Sequence, residues 1–199
     1  PSNIGKARDT HSTSVKVIYD DNAVYFGVKM ADPDPENIAK EISQRDEFYM
    51  NKTDLFGVMI SPYDDGLNFV SFVITSAGTI ADMKTVGDFD DGDGDYDVVF
   101  DSKISYDEFG WNAEFKIPYS ALRFPKKDIQ SWGLNFFRRV FNLNESYVWN
   151  FIDRSVGTMS EYMGALEGIQ NINPPTRLFF YPYSQFNSEI YDGNTGTGI

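Results

Sequence analysis

The stretch GWNAEFKIPYSALRFPKKDIQSWGLNFFRR, residues 110–139, decides the fold. Trp111, Ala113, Phe115 and Ile117 alternate with Asn112, Glu114 and Lys116, the period-2 pattern of a strand with one buried face. Pro118 ends that strand by removing a ladder donor, and 119–122 is long enough for one helical turn. Trp132, Leu134 and Phe136 then alternate with Gly133, Asn135 and Phe137, and this second strand closes on Arg138 and Arg139. Two strands meet across a proline corner, and the remaining chain must supply their partners.

Working outward, strand-like runs occur at 15–19 and 24–30 around the turn Asp20-Asp21-Asn22, and at 55–60 and 67–75 around SPYDDG. Further runs lie at 79–84, 98–105, 147–152 and 163–169. Residues 38–45 suit either a short helix or an irregular strand. RLFFYPYSQF (177–186) is aromatic or apolar on both faces, as expected of a strand buried on two sides or facing lipid. The expected fold class is all-β: an antiparallel β-sandwich of about ten strands, with room for one short helix. The expected division is a polar N-terminal extension over 1–13, the sandwich over 14–173, and over 174–199 a linker and the start of a C-terminal membrane barrel.

Composition narrows the function. Aromatics make up 16% of the 199 residues, which favours pleated sheet. A net charge of −13 argues against nucleic acid as a partner, because phosphate binding needs a basic face. It suits cations, neutral polymers such as glycans, or a basic protein. The chain has no cysteine, so disulfides, thiolate metal sites and a Cys nucleophile are excluded. No apolar run reaches the roughly 20 residues of a membrane helix.

Three stretches carry a resemblance to a known family: VKVIYDDNAVYFGVKMADPDP (15–35), DLFGVMISPYDDGLNFVSFVITSAG (54–78) and GWNAEFKIPYSALRFP with WGLNFFRR (110–139). Together they resemble the family 9 carbohydrate-binding-module-like domain, in the form found at the N-terminus of large outer-membrane proteins of Gram-negative bacteria. The resemblance implies an exported chain at the outer membrane, on its periplasmic or cell-surface side. In such proteins a long β-barrel follows the sandwich, and PPTRLFFYPY (174–183) stands where that barrel would begin, giving membrane contact if the chain continues. Family domains start with an extra segment that precedes the first strand seen here. Sugar-binding members clamp the sugar between tryptophans, one lying shortly before the strand that here starts at Asp54; in this chain that place holds Phe48, Tyr49 and Met50.

The candidate sugar site therefore comprises the aromatics Phe48, Tyr49 and Trp149, with Gln44, Arg45 and Asn51 to orient hydroxyls. Trp149 follows the polar loop NLNES and is the best placed of the three tryptophans to be exposed, whereas Trp111 and Trp132 are in phase with core residues. The candidate metal site is DFDDGDGDYD (88–97), where Asp88, Asp90, Asp91, Asp93, Asp95 and Asp97 crowd around two glycines. Hard divalent cations take six to eight oxygen ligands, so the two readings are a structural Ca2+ and a solvated acidic loop without a ligand, and the family resemblance implies calcium. The spacing is not that of an EF-hand, since Ser102 stands twelfth from Asp91.

Catalysis is not expected. The single histidine, His11, lies in a polar terminus, and GxSxG, P-loop and HExxH motifs are absent. Arg123, Arg138 and Arg139 are expected to pair with carboxylates such as Glu114 or Asp153. The expected function is a non-catalytic glycan-binding domain of an exported outer-membrane protein. The alternative is a structural, plug-like or protein-docking domain of a barrel complex with no sugar affinity.

Overall fold

A computed structural model of the chain describes residues 5–47, 51–87, 92–93, 96–151, 153, 157–175, 182–185, 187–191 and 194–198. Its strands are β1 (Thr13–Tyr19), β2 (Ala23–Ala31), β3 (Leu55–Ser61), β4 (Asn68–Thr75), β5 (Ile80–Val86), β6 (Gly92–Asp93), β7 (Asp101–Asp107), β8 (Gly110–Pro118), β9 (Ile129–Val140), β10 (Glu145–Val148), β11 (Gly164–Gln170), β12 (Asn187–Tyr191) and β13 (Asn194–Gly198). One antiparallel sheet runs β1-β2-β8-β7. The other runs β10-β9-β3-β4-β5-β6, with β11 also paired to β9. The pair β12–β13 forms a separate hairpin. The expected all-β sandwich is what forms, and its helical content among the described residues is confined to short 3-10 turns.

The proline corner of 110–139 links the two sheets. β8 lies in the four-stranded sheet beside β2, and β9 lies in the larger sheet beside β3. Between them a 3-10 turn, Tyr119–Ala121, is tied back by the Tyr119 hydroxyl, which donates to the Asp20 carbonyl at 2.8 Å. Each strand turns its apolar set inward. Phe26 and Phe115 from one sheet meet Phe56 and Phe136 from the other, with Phe26–Phe136 edge-on at 6.0 Å and Phe56–Phe136 stacked at 5.8 Å. Trp111 and Trp132 are fully buried, as their phase requires. Burying a large aromatic removes 150–250 Å² each from water, so these rings dominate the core.

Gly110 is required at the start of β8. Its φ is +147°, and a Cβ there would sit 2.1 Å from the Met30 carbonyl oxygen. β3 is buried on both faces because its outer side is covered as well: Met59, Phe69 and Met159 form a small second cluster under the turn Met159–Tyr162. A capping box fixes that turn, Thr158 and Glu161 each bonding the other's backbone.

Several expectations fail locally. Residues 38–45 form neither helix nor strand; only a single bridge joins Lys40 to Thr53, and the backbone instead bonds across to the β4–β5 connection. β10 starts earlier than expected and ends at Val148, although the Trp149 N–H still bonds the Phe136 carbonyl of β9. The end at 1–13 is tied down from residue 8 onward, with His11 buried. Arg138 turns inward rather than to Glu114 or Asp153. It is 2% exposed and donates to the carbonyls of His11 (3.0 Å) and Ala31 (2.9 Å), bonding the two sheets at their end. Of the apolar stretch 177–186, residues 177–181 and 186 lie outside the described residues, and 182–185 are not strand.

Candidate ligand-binding groove

β9 is longer than either of its edge partners. It pairs with β10 over Phe137–Val140 and with β11 over Ile129–Leu134, leaving Asn135 and Phe136 at the changeover. Asn135 fills that gap with its side chain. Its Oδ1 accepts from the Asn150 backbone N–H at 2.9 Å and its Nδ2 donates to the Asn150 carbonyl at 3.0 Å. Asn150 Nδ2 in turn donates to the Tyr162 carbonyl at 2.7 Å. Trp149 is thereby held at the sheet margin with its N–H on the Phe136 carbonyl at 3.0 Å.

The indole packs 5.6 Å from the Phe136 ring at 48° and lies over Gly164, where a Cβ would come within 2.5 Å of it. Despite this support it is 58% exposed, with exposed Val148 and Phe151 on either side in sequence. Trp149 forms one wall of a groove of about 570 Å³ along the open edge of the sandwich. Val15 and Val17 of β1 also line it, together with Leu134, Phe136, Ala165 and Leu166.

The polar lining of the groove is His11, Ser12, Thr13, Arg138 and Tyr147, and Tyr147 is bonded to a neighbouring ion pair outside that lining. Arg8 donates to Glu145 through Nε at 2.9 Å and through a terminal nitrogen at 2.6 Å, and the Tyr147 hydroxyl donates to Glu145 Oε2 at 2.6 Å. The Arg8 hydrogen bond, more than any other cause, holds the Glu145 carboxyl down at about 2. Beneath, His11 Nε2 lies 3.7 Å from Asp32, and burial lowers its pKa. Asp54 is 1% exposed; its Oδ1 accepts from the Phe141 N–H at 2.8 Å, and burial pushes its pKa up to about 6.

The sequence-derived candidates do not converge on one place. Arg45, in the irregular segment before β3, reaches toward the opposite margin, where it bonds Asp82 of β5 and approaches Asp97 at 2.7 Å. Three strands, β9, β3 and β4, separate β10 from β5. At about 4.8 Å per step that puts Arg45 roughly 19 Å from the Trp149 edge. Arg45 also donates to the Val98 carbonyl at 2.9 Å, so its guanidinium is committed to protein groups. Gln44 precedes it in the same segment, and Asn51 donates to the Glu47 carbonyl at 3.4 Å. Phe48 and Tyr49 lie outside the described residues.

Of the acidic stretch, Asp88, Asp90, Asp91 and Asp95 lie outside the described residues. Asp93 is exposed, and Asp97 pairs with Arg45. These two carboxylates cannot by themselves supply the oxygens a calcium ion needs. Among the described residues no group of three or more His, Cys, Asp or Glu is arranged to hold a metal.

Sequence reasoning missed the apolar groove. Residues 15–19 read only as a strand-like run, and nothing local showed that β1 ends its sheet with Val15 and Val17 lining a groove. It also placed His11 in a loose end and overlooked Asp54 as a buried carboxyl.

No protein-family model matches the sequence, and no curated protein matches it. Solved structures do. A family 9 carbohydrate-binding module from Caldicellulosiruptor kristjanssonii, in complex with cellotriose, aligns at TM-score 0.55 and 12% identity, over 90% of this chain and 84% of that one. A candidate carbohydrate-binding protein from Bacteroides uniformis ATCC 8492 aligns at TM-score 0.59 and 14% identity, over 79% and 78%. What the chain shares with both is a fold, the two-sheet β-sandwich of the family 9 carbohydrate-binding modules.

Proposed function

We propose that this domain is a non-catalytic carbohydrate-binding module whose sugar lies in the groove beside Trp149. The observation that carries the reading is the exposed indole itself, locked by Asn135 and Asn150 and seated over Gly164 beside the groove. A rigid aromatic face at the margin of a mostly apolar cleft stacks on the C–H face of a pyranose, while polar groups at the rim take its hydroxyls. Ser12, Thr13 and Tyr147, which line the same groove, supply polar groups for such hydroxyls. The fold shared with a cellotriose-bound module supports this assignment.

The test is a glycan array followed by calorimetry on the whole chain. Trp149→Ala should abolish specific binding while leaving the unfolding midpoint nearly unchanged. A folded wild-type domain that binds no glycan would overturn the reading. It would transfer the exposed cluster of Val148, Trp149 and Phe151 to the alternative role, docking on a protein partner in a barrel complex.

The outer-membrane setting belongs to the same proposal and rests on PPTRLFFYPY and the family resemblance. Sequence beyond residue 199 should then continue in alternating segments of about ten residues. A structural calcium at 88–97 completes it. Calcium against chelator should raise the melting temperature, and equal melting curves would remove the ion.

A further inference from the structure

The outward face of the four-stranded sheet gathers lysines in a protein that is otherwise strongly acidic. The strand registers place the outward residues in three rows across β1, β2, β8 and β7. The middle row is Lys16, Gly27, Glu114 and Lys103. On one side of it lies Ser14, Lys29, Asn112 and Ser105, and on the other Ile18, Tyr25, Lys116 and Asp101. Four exposed lysines therefore share this face with Glu114 and Asp101, Lys116 standing 3.7 Å from the exposed Asp101 carboxylate, on a chain of net charge −13. Lys16 and Lys29 are diagonal neighbours, as are Lys103 and Lys116, within about 7–8 Å of one another at the backbone. Gly27 leaves a depression at the centre, since nothing lies within 4 Å of where its Cβ would be.

The ends of this face are acidic. Asp20 and Asp21 occupy the β1–β2 turn, and Asp107 and Glu108 occupy the β7–β8 turn at the other end. A planar anionic surface pressed on the sheet would meet both acidic ends. A linear polyanion crossing the strands along the middle row would meet neither turn; the one carboxylate on its path, Glu114, has Lys103 directly opposite it. The polyanion would run from Lys16 to Lys103, three strand spacings or about 14 Å, over the depression at Gly27. Ser14, Ser105 and Asn112 beside that path offer small hydrogen-bonding groups suited to hydroxyls. A densely charged nucleic acid is disfavoured by the acidic body around the face.

We propose that the outward face of the four-stranded sheet is a second binding surface, specific for an acidic polysaccharide whose carboxylates are held by Lys16, Lys29, Lys103 and Lys116. This surface is separate from the Trp149 groove and does not depend on it.

The experiment measures binding of the whole chain to polygalacturonate, with neutral dextran, phosphatidylglycerol vesicles and duplex DNA as parallel probes, across a salt series. Polygalacturonate should bind, more weakly as salt rises, and the other three should not. Replacing all four lysines by Gln should weaken that binding about tenfold or more, since each exposed charge contact is small. The Lys→Arg set should retain it, and Trp149→Ala should leave it unchanged. No polygalacturonate binding at low salt, equal binding by the Gln variant, or tighter binding to vesicles or DNA would each overturn the proposal. Exposed sheet lysines tolerate Gln, and matching unfolding midpoints confirm that the variant is folded.

Discussion

Asp54 is a buried acid whose ionisation opposes folding, and Asp54→Asn should therefore stabilise the domain at neutral pH. Burial is the largest influence on this carboxyl. The Phe141 N–H, Arg138 and Arg139 favour its charge but do not compensate, so its pKa rises from 3.8 to about 6. A rise of roughly two units, at about 1.4 kcal/mol each, makes the ionised group cost about 3 kcal/mol of stability at pH 7. Between about pH 4 and 6 the unfolded chain ionises first, so the stability due to Asp54 is present at low pH and is lost as pH rises through its folded pKa. Asparagine keeps the acceptor for Phe141 and carries no charge. Removing the carboxylate also withdraws attraction from buried Arg138, but that attraction is already contained in the net shift. The expected gain is up to about 3 kcal/mol at pH 7, or roughly 6–12 °C in melting temperature for a domain of this size, shrinking toward zero near pH 4. Urea unfolding of both proteins at several pH values measures it. A variant no more stable than wild type at pH 7, or a difference constant with pH, would refute the reasoning.

Three further outcomes are expected. Gly164→Ala places a methyl 2.5 Å from the Trp149 ring; the displaced indole should bind glycan about tenfold more weakly, a loss of ~1.4 kcal/mol, as calorimetry on a folded variant would show. Gly110→Ala brings a Cβ against the Met30 carbonyl at φ +147°, where the backbone cannot yield without breaking the β2–β8 register; chemical denaturation should register a loss of about 3 kcal/mol or more. His11 is kept neutral chiefly by burial, although Asp32 opposes this. The unfolded chain thus takes up its proton first, and this contribution to stability is lost as pH falls through 6.5. His11→Gln should reduce that acid-side loss, seen as a smaller change in urea midpoint between pH 7.5 and 5.5 than in wild type.

The period-2 alternation around Trp111 and Trp132 made the sandwich legible in the sequence, because a strand's side chains point to opposite faces whatever its partners are. Trp149 was legible as the exposed tryptophan for a similar local reason: it follows the polar loop NLNES. The surroundings of these residues were not legible. Gln44, Arg45 and Asn51 looked like companions of Trp149, yet sheet order sets Arg45 at the opposite margin, held by Asp82 and Asp97. His11 lies in a polar terminal stretch, yet it is buried, and Arg138 reaches its carbonyl from a strand 127 residues away. The lysine face became visible only through register, since Lys16, Lys29, Lys103 and Lys116 come from four strands in two distant parts of the chain. The sequence by itself determined which residues face inward and outward along each strand, and so the all-β class. Strand order and register, which depend on pairing across long chain separations, decided which outward residues meet, and thereby where the groove and the charged face lie.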